Sequence, residues 1–277
     1  MEFVSDQGRE RYQALVSLAR DVVVGVDFDG TLAPIVDDPG AAWIHPVAPD
    51  VLTRLAAVVA AVVVVTGRPA RQVVELGGLE EIADALPEGA RLEVMGQYGH
   101  ERWDSADRTF SSPEPPEALR ELRQELPEIL AQQRAVGAEV EDKGLALAVH
   151  TRRLPDAGAA LTRLEGVLRA AAERHALQLE PGRMVLEVRA PGMHKGLAVR
   201  RVLDEHRGAG MLFVGDDLGD LEAFEALREL RVDGLPALLV CSGSEEQDAL
   251  AALADVVVDG PAGVVELLSG FARDAGG

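Results

Sequence analysis

Six short, largely apolar runs recur along the chain, at 22–26, 62–65, 92–95, 211–214, 237–240 and 256–258. A strand with one solvated face alternates between apolar and polar side chains. Runs without that alternation predict strands covered on both faces, the pattern of a parallel sheet. The segments 50–60 and 197–206 carry apolar residues at helical spacing and fit crossovers between such strands. The predicted fold class is therefore α/β, with a Rossmann-like parallel sheet.

The texture changes over 112–191. The Pro/Ser/Glu-rich stretch from Ser111 to Pro116 leads into a long helix, then strands near Glu139 and over 145–150. A helix over 157–175 follows, then strands over 177–180 and 184–188. This αββαββ order predicts an inserted α/β domain, left at Pro191-Gly192, with 1–111 and 192–277 forming the core around it. At 277 residues and 47% apolar content the chain can supply a core to both parts.

The first strand ends in Asp27-Phe28-Asp29-Gly30-Thr31. On an extended backbone Asp27 and Asp29 point the same way, and their repulsion makes sense if a divalent cation or reacting phosphate sits between them. Thr66-Gly67-Arg68 follows the second run, and Asp216-Asp217 with Asp220 follows the fourth. In a parallel sheet these strand ends converge on one edge, where ligands of open α/β folds bind. Acid, hydroxyl and acid from three loops make a coherent metal-phosphate site, and the all-oxygen set suits magnesium.

Asp27 to Thr31 matches the D-x-D-G-T signature of the haloacid-dehalogenase superfamily, and the chain resembles that superfamily in three further places. Thr66-Gly67-Arg68 resembles its second motif, Lys195 its third, and Gly215-Asp216-Asp217-Leu218-Gly219-Asp220 its acidic fourth. The resemblance implies that Asp27 attacks phosphorus, that Asp29 serves as acid and then base, and that Lys195 and Thr66 stabilise the phosphoryl group. It also implies a Mg2+ site drawn from Asp27, Asp29 through its carbonyl, Asp216, Asp217 and Asp220, with Gly67 and Arg68 beside the substrate.

Within the insert, Glu141-Asp142-Lys143, His150-Thr151-Arg152 and Gly182-Arg183 followed by Glu187 resemble the cap of trehalose-6-phosphate phosphatases. By that likeness Glu141, Lys143, Arg152, Arg183 and Glu187 face a disaccharide, and the reaction releases trehalose and phosphate. Two departures stand out: Gly219 and Leu221 replace a hydroxyl and a carboxylate usual in the acidic loop, and Gln97 replaces an asparagine. Three competing readings remain at this stage: a phosphatase for another sugar phosphate of the sucrose-phosphate or mannosyl-3-phosphoglycerate type, a phosphomutase, and a non-catalytic sugar-phosphate-binding module.

The net charge of −20 opposes a role in binding nucleic-acid backbone. No run of about 18 apolar residues suggests a membrane span, so the expectation is a cytoplasmic monomer acting on a small sugar phosphate. The single cysteine, Cys241, lies in an apolar run and is assigned no role. Lysine occurs only at Lys143 and Lys195 among 27 basic residues. Where lysine persists in so arginine-rich a chain, a compact point charge is needed.

Overall fold

Alternate residues of the buried strands feed two separate hydrophobic cores, one on each face of the sheet. Val22, Val24 and Val26 join Val62, Val64, Leu212, Val214, Leu238 and Val240 in one core. Val23 joins Val63, Val65, Met211, Phe213, Leu239 and Cys241 in the other. This arrangement is why the strands read as unbroken apolar runs. The computed structural model describes residues 2–36, 38–182, 184–243 and 248–276.

Along the chain come β1 (Glu2–Phe3), α1 (Asp6–Ser17), β2 (Val22–Val26), α2 (Ala48–Ala56), β3 (Ala61–Val65), α3 (Ala70–Gly77), α4 (Leu79–Ala85) and β4 (Leu92–Gly96). Two short strands follow, β5 (Glu101–Asp104) and β6 (Phe110–Ser111). The chain then runs through α5 (Glu117–Gln132), β7 (Glu139–Asp142), β8 (Ala146–His150), α6 (Ala157–Arg174), β9 (Gln178–Gly182) and β10 (Val185–Arg189). It closes with α7 (Lys195–His206), β11 (Gly210–Gly215), α8 (Leu221–Val232), β12 (Ala237–Gly243), α9 (Asp248–Ala251), β13 (Val256–Asp259) and α10 (Gly260–Asp274).

Two compact units result, residues 1–112 with 194–277 and residues 113–193. The first holds a sheet of order β1-β13-β12-β11-β2-β3-β4-β5-β6. Its six central strands are mutually parallel. The outer pairings, β1 with β13, β4 with β5 and β5 with β6, are antiparallel. Helices α1, α2, α3, α4 and α10 cover one face, and α7 and α8 the other. Covered strands of this kind are stabilised by roughly 1.5–3 kcal/mol per large apolar side chain buried, before entropy is counted.

The second unit is a four-stranded antiparallel sheet of order β7-β8-β10-β9. Leu147, Val149, Leu179, Leu186 and Val188 pack one face of it against Leu122, Leu126, Leu164 and Leu168 of α5 and α6. The other face is polar.

Three strands and the first helix have no counterpart in the hydrophobic pattern. Helix α1 buries only Gly8, Tyr12 and Leu15 among its 12 residues, too few for a clear stripe. Strand β5 reads Glu-Arg-Trp-Asp and buries Trp103 alone, because its charged residues are satisfied by ion pairs. The helix expected over 50–60 ends at Ala56, and residues 57–60 turn the chain into β3. No helix among the described residues is long and apolar enough to cross a membrane.

A buried carboxylate fastens the far side of this unit. Asp255 is 5% exposed and accepts from Arg11 on α1, Arg231 on α8 and the Leu239 amide on β12. Burial alone would lower the Arg231 pKa, and Asp255 opposes that shift. Asp255→Ala strands a buried guanidinium and is expected to cost about 3–5 kcal/mol in denaturant unfolding. Arg11→Ala, at the more exposed end, is expected to cost under about 1 kcal/mol. Equal small losses for both variants would show that the network does not fasten the unit.

Candidate active site

The parallel sheet brings four of its strand ends to one edge, and the loops leaving β2, β3, β4 and β11 carry the polar residues there. Asp27 directly follows β2, 5% exposed, with its amide donating to the Val214 carbonyl of β11 at 2.9 Å. Asp216 follows β11 and is 3% exposed; Asp220, four residues on, is fully buried. One carboxylate oxygen from each of Asp27, Asp216 and Asp220 lies within 4.8 Å of the other two.

Lys195, the first residue of α7, reaches into this cluster. Its Nζ lies 2.6 Å from Asp27 Oδ1 and 2.7 Å from Asp220 Oδ1. The second oxygen of Asp220 accepts from the backbone amides of Asp216 at 3.0 Å and Asp217 at 3.3 Å. Asp220 therefore ties the ammonium to the backbone of the acidic loop. Asp217 turns outward and caps the turn, accepting from the Gly219 amide at 2.7 Å.

Two glycines allow carboxylates this close. A Cβ on Gly30 would lie 2.0 Å from Asp216 Oδ2, and the Gly30 φ of +70° is one that side chains resist. A Cβ on Gly215 would lie 2.3 Å from the Asp220 carboxyl carbon. The glycine of the first motif is thus where it is because Asp216 packs directly against it.

The cluster is electrostatically demanding. Burial pushes the Asp27 carboxyl well above its usual range, with Lys195 opposing and Asp220 and Asp216 adding to the rise. Asp216 is pushed up to about 8 by burial and by the charges of Asp217 and Asp220. Burial likewise raises Asp220 against the pull of Lys195. Burial works to discharge Lys195 too, but Asp220 and Asp27 overcome it and hold the ammonium well above its ordinary pKa. One ammonium faces three crowded carboxylates, and Asp216 has no ion-pair partner among the described residues. That surplus of negative oxygen fits a hard divalent cation. Asp216 and the Asp27 oxygen that does not face Lys195 are the donors best placed for it, since both oxygens of Asp220 are engaged by Lys195 and backbone amides.

Asp29 stands apart from the acidic triad. Both its oxygens accept from Arg68, at 2.6 Å from Nε and 2.7 Å from Nη2. Arg68 also donates to the Pro39 carbonyl at 2.8 Å. Thr66 is 1% exposed, and its Oγ1 accepts from the Arg68 amide at 3.1 Å. Gly67 lies under Tyr98, whose hydroxyl would be 2.7 Å from a Cβ there. The loop after β4 is fastened to this one, with the Gln97 amide on the Arg68 carbonyl and the Tyr98 amide on the Thr66 carbonyl, both at 2.9 Å. Gln97 is fully buried, and its side-chain amide has no partner among the described residues. The pairing of Arg68 with Asp29 has no sequence signal, because the two are 39 positions apart.

The remaining sequence-derived positions lie in the second unit. Glu141, Lys143 and Glu187 are on the polar face of its sheet, where Lys143 Nζ meets Glu187 Oε2 at 2.7 Å and His150 Nε2 meets Glu141 Oε2 at 3.0 Å. Arg152 is exposed just beyond β8. Arg183 lies outside the described residues. Arg189, 7% exposed on the same face, joins this group through Glu187 at 3.3 Å.

The model of the trehalose-phosphatase family matches residues 25–257. A trehalose-phosphate phosphatase of Mycobacterium tuberculosis is 34% identical over 262 residues, covering 92% of this chain and 62% of that protein. This chain therefore spans less than two thirds of the relative's length. Among solved structures, the Candida albicans trehalose-6-phosphate phosphatase C-terminal domain aligns with a TM-score of 0.76 at 20% identity, covering 98% of each chain. A haloacid dehalogenase-like hydrolase from Bacteroides thetaiotaomicron aligns with a TM-score of 0.65 at 16% identity, covering 90% of this chain and 98% of that one. At such identities the structures establish the fold, a Rossmann-like core of the haloacid-dehalogenase type. With the family model spanning most of its length and the acidic cluster, lysine and threonine gathered at one sheet edge, the chain belongs to the trehalose-phosphatase family.

Proposed function

We propose that the protein is a magnesium-dependent phosphatase that hydrolyses trehalose 6-phosphate to trehalose and phosphate. The observation that carries this reading is the buried carboxylate of Asp27, held by Lys195 within 4.8 Å of the Asp216 and Asp220 donor oxygens. A protein that merely bound sugar phosphates would have no use for such a costly cluster. We assign the phosphoryl chemistry to the first unit and the choice of sugar to the polar sheet face of the second.

In the first step an oxygen of Asp27 attacks phosphorus, the ester bond to the sugar breaks, and Asp29 gives its proton to the departing oxygen. In the second, Asp29 takes a proton from water as that water attacks the aspartyl-phosphate, releasing phosphate and restoring Asp27. Both Asp29 oxygens are engaged by Arg68, so each proton transfer requires one of those bonds to open. Lys195 opposes the protonation of Asp27 that burial favours and offers charge to the phosphoryl oxygens, while the Thr66 hydroxyl donates to them. A bound magnesium ion, held by Asp27, Asp216 and the Asp29 carbonyl, would supply charge neutralisation for the phosphoryl group.

Phosphate release is to be measured on trehalose 6-phosphate, sucrose 6-phosphate and glucose 6-phosphate. The expected result is a clear preference for the first, and a fall of at least about a thousandfold for Asp27→Asn without loss of fold. A preference for another sugar phosphate would overturn the substrate, and substantial turnover by Asp27→Asn would overturn the covalent step.

Cation binding must displace the proton that Asp216 holds below about pH 8. Magnesium affinity is therefore expected to rise with pH from 6 to 8, by up to roughly tenfold per unit for one displaced proton. Titration calorimetry in two buffers of different ionisation enthalpy reads that proton directly. An affinity unchanged over this range would move the metal away from Asp216.

A further inference from the structure

The carbonyl of Gly30, in the turn that follows β2, is held by a residue two strands away. Ser242 lies near the end of β12 and is 1% exposed, and its Oγ donates to the Gly30 carbonyl at 2.7 Å. No other hydrogen bond to that carbonyl is made among the described residues. The two residues are 212 positions apart, and β11 lies between their strands in the sheet. The bond therefore spans the end of β11, the strand from which Asp216 departs.

Strand register puts these groups at one level. Gly215 of β11 pairs with Cys241 of β12, and Val214 of β11 with Val26 of β2. Asp216, Ser242 and Asp27 are the next residues along their chains. The 27–31 turn is fastened at its start by the Asp27 amide on the Val214 carbonyl. Within it, the Leu32 and Ala33 amides both donate to the Phe28 carbonyl, bonds that set the shape of the turn but not its distance from the acidic loop. Its far side meets that loop at Gly30, where a Cβ would lie 2.0 Å from Asp216 Oδ2. Gly30, at φ +70°, has no side chain to resist rotation of its peptide group. The Ser242 hydroxyl supplies that resistance.

We propose that Ser242 is a positioning residue for the metal-phosphate site: by holding the Gly30 carbonyl it sets the gap between the 27–31 turn and Asp216. The inference rests on the reading above in which Asp27 and Asp216 share a magnesium ion. Two donors on separate loops bind one cation well only if the loops are already at the right distance, and a small cation with strict geometry tolerates little error. Crowding of Gly30 against Asp216 sets the closest approach of the loops. The hydrogen bond from β12 opposes their separation, so the two contacts together define the gap. Outer contacts that orient metal-binding groups in this way govern affinity without touching the ion.

The test is magnesium titration calorimetry at pH 8, with turnover of p-nitrophenyl phosphate at saturating magnesium as a second readout. Ser242→Ala is expected to weaken magnesium binding about tenfold and to lower kcat about tenfold, with KM changed less than about twofold. Ser242→Thr keeps the hydroxyl and is expected to retain magnesium affinity and kcat to within about threefold. Should Ser242→Ala not fold, Ser242→Cys takes its place; its thiol is a weak donor of similar size, and a fall of about threefold in both quantities is expected. Loss of stability in denaturant unfolding, with wild-type magnesium affinity and kcat kept by the folded variant, would make Ser242 a structural residue and overturn the proposal. Wild-type binding is measured first: a wild type that takes up no magnesium refutes the metal site itself, whereas wild-type binding that Ser242→Ala leaves unchanged refutes the positioning role alone.

Discussion

The ammonium of Lys195, wedged between Asp27 and Asp220, is the constraint on which the rest of the first unit depends. Carboxylates buried this close repel one another, and each would take up a proton without a counter-charge. The lysine must therefore arrive at a fixed point, and the fold supplies it as the opening residue of α7. Helix α7 packs Ala198, Val199 and Val202 into the core beneath the sheet. Asp220 then passes the restraint from the ammonium to the backbone of the acidic loop. Gly30 and Gly215 follow from the same crowding, since neither position has room for a side chain.

The second unit uses the same device with the signs exchanged: a carboxylate, Glu187, sits between two cations. Each of the two lysines of the chain meets carboxylates at short range, Lys195 those of Asp27 and Asp220 and Lys143 that of Glu187. A lysine delivers one compact charge along a flexible stem, so its position is set by what it pairs with. In an arginine-rich chain, the persistence of lysine at these two places marks where that kind of charge is required.

Much of this was legible in the sequence, for physical reasons. Unbroken valine runs announce strands covered on both faces, and parallel strands force Asp27, Thr66 and Asp216 to one edge. The insert was legible because its element order differs from that of the core. What escaped were features carried by polar or sparse signals. Helix α1 shows too few apolar residues, and β5 buries a single tryptophan between charged neighbours. The Arg68 grip on Asp29 and the Arg189 contact with Glu187 depend on rotamers and on packing, which spacing along the chain does not encode. Asp217 adjoins Asp216 in sequence, but it turns outward to cap a turn, a role that a string of acidic residues does not distinguish from ligation.

The most direct test of the account is the pH dependence of stability in metal-free Lys195→Met, which keeps the length of the side chain and removes its charge. Without the ammonium, Asp27 and Asp220 lose the pull that opposes their protonation, and they hold protons that the unfolded chain has lost to higher pH than in the wild type. Stability then falls as pH rises above the unfolded carboxylate range, by about 1.4 kcal/mol per unit for each extra proton held. The account predicts a deficit relative to wild type that is small near pH 5 and widens steadily toward pH 8 in denaturant unfolding. A deficit of constant size across that range would contradict it, and would mean that Lys195 serves packing and not the charge balance of the site.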